Sequence, residues 1–236
     1  MGRISKIRRF DEMRTFPHVF EPDGKTILTT DFYMKGLWNE KFFGNDHPVV
    51  IELGCGKGEY TIELARKYPD RNYIGIDIKG ARIWKGAREA LDDGLTNVSF
   101  LRTRVEFLQR VFAPGEVNEI WVTFPDPQPQ KPRKRLTSGR FLTLYNRFLK
   151  ADSTVHLKTD SRIVFEYTLA VLELNGIRPE ISTDNLYGSG MANDILSIRT
   201  YYESGYLEKG NPIAYLRFRL PGGMILSDPP VVKSEQ

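Results

Sequence analysis

Glu52-Leu53-Gly54-Cys55-Gly56-Lys57-Gly58 sets a carboxylate two residues ahead of glycines at alternate positions. A turn bare of side chains lets a ligand lie against the backbone, and a carboxylate beside it can receive an ammonium group. Further on, Asp77 stands in Gly75-Ile76-Asp77-Ile78, a place from which an acid at a strand end accepts the two hydroxyls of a ribose. Two familiar nucleotide turns do not fit. The dinucleotide fingerprint needs its third glycine where Glu59 sits, and a P-loop needs serine or threonine where Gly58 follows Lys57. Cys55 reads as a small filler in the turn, since no histidine lies nearby to activate a thiol.

A ligand that carries both an amino-acid ammonium and a ribose satisfies Glu52 and Asp77 together, and S-adenosylmethionine is such a ligand. A second constellation follows Phe124: Pro125-Asp126-Pro127-Gln128-Pro129-Gln130-Lys131-Pro132-Arg133-Lys134-Arg135. Prolines on both sides of Asp126 stiffen it, so its carboxylate loses little entropy on engaging a substrate. Asp126 is therefore the catalytic candidate. The basic residues behind it, Arg133, Lys134 and Arg135 among them, are expected to hold phosphates. Residues 126–150 carry seven basic residues against one acid, a net +6, whereas the whole chain is only +4. Charge gathered in one segment of a balanced protein is the footprint of a polyanion partner.

The elements that must position these groups alternate. An apolar run over 49–53 ends at the glycines and is followed by a helical pattern over 59–68. Strands are expected at 72–78, 97–101, 119–124 and 154–157, helices at 80–93, 141–148 and 163–175, and a closing strand at 213–218. Alternation of this kind gives an α/β fold with a mostly parallel central sheet, helices on both faces, and ligands beyond the carboxyl ends of the strands. Residues 1–48 show no sustained period and read as a basic and aromatic arm; 49–220 form the main domain, and 221–236 a loose tail. The basic start is followed by Asp11 and Glu12, and no run nears 18 apolar residues, so neither an export signal nor a membrane span is expected. A single cysteine and three scattered histidines suit a reducing cytoplasm and give no metal-ligand spacing.

Glu-Leu-Gly-Cys-Gly-Lys-Gly, Gly-Ile-Asp, Phe-Pro-Asp-Pro-x-Pro with its basic run, Thr159-Asp160 and Thr200-Tyr201-Tyr202-Glu203 occur in an order that resembles the bacterial tRNA (guanine-N7)-methyltransferase family. The resemblance spans about residues 6–219. It implies a Rossmann-like class I S-adenosylmethionine-dependent methyltransferase fold, S-adenosylmethionine as donor and a variable-loop guanine of tRNA as acceptor. By matching position, Glu52, Asp77 and Asp126 would meet the cofactor, with Gly54 and Gly56 of the turn; Arg104 would join them although it stands where the family often has an acid or asparagine, which leaves open the side chain that reads the adenine. Asp160, Thr200, Tyr201, Tyr202 and Glu203 would face the substrate, together with Gln130 or Lys131.

Guanine N7 is already an unprotonated lone pair, so taking a methyl from a sulfonium needs no strong base and no nucleophilic serine or cysteine. Positive charge moves onto the purine as the methyl transfers, and a nearby carboxylate stabilises that change. Asp126, Asp160 and Glu203 share the candidacy for this role and for accepting guanine N1–H and N2–H. Expected partners are tRNA, with no membrane and no metal, in a monomer or homodimer. Two other readings remain at this stage: a methyltransferase with a different substrate, and a non-enzymatic RNA-binding protein with a degenerate cofactor fold.

Overall fold

The computed structural model describes residues 5–230. Eight strands form one sheet in the order β1-β4-β3-β2-β5-β6-β8-β7. They are β1 (Val19–Phe20), β2 (Val49–Leu53), β3 (Asn72–Asp77), β4 (Val98–Arg102), β5 (Val117–Thr123), β6 (Leu149–Thr159), β7 (Ile181–Thr183) and β8 (Ala214–Leu220). The first six in that order run parallel, and β8 lies antiparallel between β6 and β7. The helices are α1 (Lys6–Met13), α2 (Glu59–Lys67), α3 (Gly80–Asp92), α4 (Gly139–Tyr145), α5 (Arg162–Leu174) and α6 (Tyr201–Glu208). Both the chain order and the parallel sheet match the α/β class expected from alternation.

Successive strand residues point to opposite faces, and β2 divides accordingly. Val49, Ile51 and Leu53 enter the core shared with α4 and α5, while Val50 enters the core shared with α2 and α3. Glu52 shares the face of Val50, which aims its carboxylate at Thr61 of α2. Order reverses at β2, with β3 and β4 on one side and β5 and β6 on the other. A crevice opens where the connections part in this way, and the carboxyl ends of β2, β3, β5 and β6 border it.

Both terminal segments pack differently from the arm and tail expected. Residues 5–48 supply α1, β1 and the fully buried Met13 and Trp38. Trp38 donates its indole N–H to the Val111 carbonyl at 3.2 Å, among Phe20, Phe32 and Phe112. Glu12 of α1 accepts from the Trp84 indole and pairs with Arg88 of α3. A helix of eight residues with five charges hides its apolar spacing, and a two-residue strand has no period to detect. At the other end, Asp228 accepts the Gly139 N–H that opens α4 and the Tyr167 hydroxyl, both at 2.7 Å, and Leu226 is buried. Residues 1–4 and 231–236 of these two segments lie outside the described residues.

If residues 5–48 are integral to the core, Trp38→Ala should lower unfolding stability by about 3–5 kcal/mol in urea titrations. An unchanged midpoint would mean that the segment is only laid on the surface.

Candidate active site

The crevice between β2 and β5 holds a cavity of about 310 Å³. Glu52, Gly54 and Gly56 line it from the first turn, Asp126 from the loop after β5, Asp160 from the end of β6, and Thr200, Tyr202 and Tyr206 from α6 and its N-cap. Residues from four separate parts of the chain thus converge on one place. The cations Lys57, Lys79 and Arg82 also line it.

Glu52 is the innermost acid. Its carboxylate accepts the Thr61 N–H at 3.0 Å and the hydroxyls of Thr61 and Thr123. Burial outweighs these bonds and pushes its pKa up to about 7, with the negative charge of Asp77 adding to the rise. Asp77, at the end of β3, accepts the Gly56 N–H at 2.9 Å and the Lys79 N–H at 2.8 Å, so it pins the glycine turn to the next loop. Asp160 is half-buried, and desolvation raises its pKa as well.

Gly54 and Gly58 serve different ends. A Cβ on Gly54 would meet nothing within 4 Å, so the open space above it belongs to the cavity. On Gly58 a Cβ would lie 2.6 Å from the Phe100 ring and 3.3 Å from the Gly86 backbone. One keeps the cradle clear, whereas the other lets α2 and α3 approach. Both hold positive φ, at 75° and 74°.

The loop bearing Asp126 is held tightly. Phe124 and Gln128 take φ of 47° and 43°, a region that side chains rarely occupy. Phe124 N–H donates to the Lys158 carbonyl at 2.8 Å and its ring stacks on Tyr206. Arg135 donates to the Pro127 carbonyl at 2.9 Å and lies over the Tyr167 ring. The Asp126 side chain itself is exposed and accepts the Gln128 N–H at 3.1 Å.

A family model described as "Putative methyltransferase" matches residues 46–216. The tRNA (guanine-N(7)-)-methyltransferase of Bacteroides thetaiotaomicron is 51% identical over 231 residues, covering 98% of this chain and 91% of that protein. The protein of the same name from Porphyromonas gingivalis is 54% identical over 211 residues, covering 88% and 86%. The chain belongs to the tRNA (guanine-N(7)-)-methyltransferase family. Among solved structures, the 16S rRNA methyltransferase KamB superposes with a TM-score of 0.60 at 16% identity, over 77% of this chain and 92% of that one. A 16S rRNA (adenine(1408)-N(1))-methyltransferase from Catenulisporales acidiphilia, solved with its cosubstrate SAM, gives 0.53 at 13% identity over 81% and 92%. These two likenesses establish a class I methyltransferase fold.

The geometry corrects the expectations for Glu203 and Arg135 and places the other expected residues at different distances from the cavity. Glu203 is wholly buried, with its carboxylate on the Lys158 ammonium at 2.8 Å and the Tyr187 hydroxyl at 2.6 Å, so it faces the interior and not the cavity. Arg135 is buried against its own loop, which removes it from the residues able to reach a phosphate. Tyr201 is turned outward beneath the Lys57 ammonium, 3.7 Å from the ring centre, with its N–H on Glu59. Gln130, Lys131, Arg133 and Lys134 are exposed beside the cavity without lining it. Arg104 pairs with Glu106 at 3.2 Å and lines a second cavity of about 660 Å³, which shares the turn after Asp77 through Ile78.

Thr61, Thr123, Lys158 and Tyr206 did not emerge from the sequence. For Lys158 a signal exists: it is a lone cation in His156-Leu157-Lys158-Thr159, inside an otherwise buried strand end. The two threonines carry no such mark, because threonine is common in strands and helix starts alike.

The two glycine roles separate in a stability measurement. Gly58→Ala should destabilise by about 1–3 kcal/mol more than Gly54→Ala, through overpacking against Phe100. Equal thermal shifts for both variants would contradict the close approach of α2 and α3.

Proposed function

We propose that this chain transfers a methyl group from S-adenosylmethionine to N7 of a guanine in the variable loop of tRNA. The observation that carries the reading is the convergence of Glu52, Gly54, Asp126 and Asp160 on one cavity in a chain about half identical to enzymes of that name. Bound there, S-adenosylmethionine supplies an electrophilic methyl on a sulfonium. The residues fit such a ligand: Glu52 would receive its ammonium, the bare backbone at Gly54 and Gly56 its chain, and Asp77 its ribose. The separate cavity lined by Ile78, next to Asp77 in the chain, and by Arg104 would take the adenine side.

Because guanine N7 brings its own lone pair, no side chain has to remove a proton before transfer. The chain's task is alignment and charge. Asp126 stands on a loop whose backbone is fixed on either side of it, at Phe124 by Lys158 and at Pro127 by Arg135. There it stabilises the positive charge arriving on the purine. Asp160, whose pKa burial raises, would accept from the guanine N1–H and N2–H edge, with Thr200 and Tyr202 completing the wall. With Glu203 withdrawn into the core, base reading falls to Asp160 and Asp126. Lys131, Arg133 and Lys134, all exposed, would take phosphates, and Gln130 would join them at the substrate. Residues 49–220 form the methyltransferase domain, with 1–48 and 221–236 as its extensions. The enzyme works in the cytoplasm as a monomer or homodimer. No helix among the described residues is long and apolar enough to cross a membrane.

The direct test incubates the purified protein with labelled S-adenosylmethionine and unmodified tRNA, then cleaves the RNA at N7-methylguanine. Label without scission at that position would favour a different acceptor atom. In the same assay Asp126→Ala should lower kcat roughly a hundredfold, for ~3 kcal/mol of lost transition-state stabilisation, with a much smaller change in KM for tRNA. Near-normal kcat would make Asp126 a turn former only.

Glu52 makes binding pH-dependent. Its folded pKa near 7 exceeds the ordinary 4.5, so its contribution to stability is full below 4.5 and is lost as pH rises through 7. An incoming ammonium needs the carboxylate, so below pH 7 the protein must release a proton on binding. Affinity for S-adenosylmethionine should therefore fall as pH drops from 7 to 5.5, with proton release visible in calorimetry across buffers of different ionisation enthalpy. Glu52→Gln should abolish that release; release persisting in this variant would assign the proton elsewhere.

A further inference from the structure

Lys158 is a fully buried ammonium that the chemistry above does not use. It occupies β6 next to Thr159 and Asp160, and its side chain crosses beneath the cavity wall. The ammonium donates to the Leu196 carbonyl at 2.8 Å, to the Ile198 carbonyl at 3.0 Å, and to Glu203. All three of its protons are thereby used. Its backbone carbonyl accepts from Phe124, two residues before Asp126. One residue of a central strand thus fixes the Asp126 loop through its main chain and the 196–203 segment through its side chain. Thr200, inside that segment, caps α6 by accepting the Glu203 N–H at 3.2 Å and also lines the cavity.

A buried ion pair is a poor means of gaining stability alone, because apolar residues of similar volume often serve as well or better. What an apolar pair lacks is direction. Leu196 and Ile198 lie in an irregular stretch, and two directed bonds from the ammonium, with the Tyr60 hydroxyl on the Ile195 carbonyl, set where that stretch stands. Ring contacts do the remaining packing, with Tyr60 and Tyr187 beside the ammonium.

We propose that Lys158, acting through Glu203 and the 196–198 carbonyls, is a positioning residue that holds the Thr200–Tyr206 wall in register with Asp126 for methyl transfer. The inference rests on the methyltransferase reading above and adds to it a residue that touches neither ligand. It also accounts for Glu203 facing inward: the carboxylate positions the wall that meets the base.

The test compares the charge-free double variant Lys158→Met with Glu203→Leu, the single variant Glu203→Gln, and Tyr187→Phe, which removes a bond to Glu203 and leaves the lysine's bonds in place. Each is measured for unfolding midpoint, S-adenosylmethionine affinity, kcat, KM for tRNA, and hydrogen exchange. The double variant should keep cofactor affinity within about threefold and lose at least tenfold in kcat. Its amides at 196–203 should exchange at least tenfold faster, while Phe124, bonded to the main-chain carbonyl at position 158 that the substitution keeps, and the amides of β2 and β3 stay protected. Glu203→Gln should lose less kcat than the double variant, and Tyr187→Phe none, whatever their midpoints. Activity that follows the unfolding midpoint across the series would make the pair a stabiliser only and overturn the proposal. So would wild-type kcat in the double variant, or in Glu203→Gln should the double variant not fold. Exchange is read without tRNA, so unchanged protection at 196–203 overturns the proposal even if the wild-type protein methylates no tRNA. Absent wild-type turnover, by contrast, overturns the methyltransferase reading.

Discussion

The reversal of strand order at β2 is the constraint on which the site depends. Parallel strands send every carboxyl end to one edge of the sheet, and the crossovers part company only there. Four connections border the gap, and each delivers one polar group that a closed core would exclude. The result is a cavity containing Glu52, Asp126 and Asp160, with Asp77 bound to its floor. Burial disfavours the charge on Glu52, the most deeply buried of them, with the negative Asp77 adding to the cost, and its pKa stands near 7. A ligand that arrives with an ammonium and a sulfonium removes that conflict. The cost of charging Glu52 in the free site is thus relieved when a cationic group pairs with it.

Much of this was legible beforehand because the central strands and their helices obey simple periods. β2 to β4 with α2 and α3 fall within a residue or two of the positions their apolar spacing dictates. The glycine turn, Glu52 and Asp77 follow directly from the strand ends. The short elements were not legible, since β1 and β7 have two and three residues and take their identity from a neighbour's edge. β6 begins five residues before its apolar run, with Lys150 and Asp152 in the strand and Asp152 at φ 59°.

Charged residues mark the other limit. Residue type tells that a group is costly to bury, but not whether a partner waits for it elsewhere in the chain. Glu203 and Lys158 lie 45 positions apart, and only the fold brings them together. Arg135 reads as one more cation in a basic run, yet its guanidinium spreads over Tyr167 and closes its own loop. Of the four cations between 131 and 135, Lys131, Arg133 and Lys134 stay exposed. That leaves the loop with two distinct functions, outward charge and inward fastening, written in the same alphabet.

The inward fastening follows from the chemistry. A transfer that needs no general base gives an enzyme few ways to accelerate it other than alignment and a preset field. Alignment by a surface loop is ordinarily loose, because loops are the most mobile part of a fold. Here four prolines between 125 and 132 restrict the backbone, Arg135 ties its middle, and the Lys158 carbonyl ties its start. The unfavourable φ values at Phe124 and Gln128 persist because these fastenings over-determine them. Asp126 is left exposed on a rigid support. A carboxylate so held need not be ordered by the substrate, and the free energy of binding is kept for the reacting geometry.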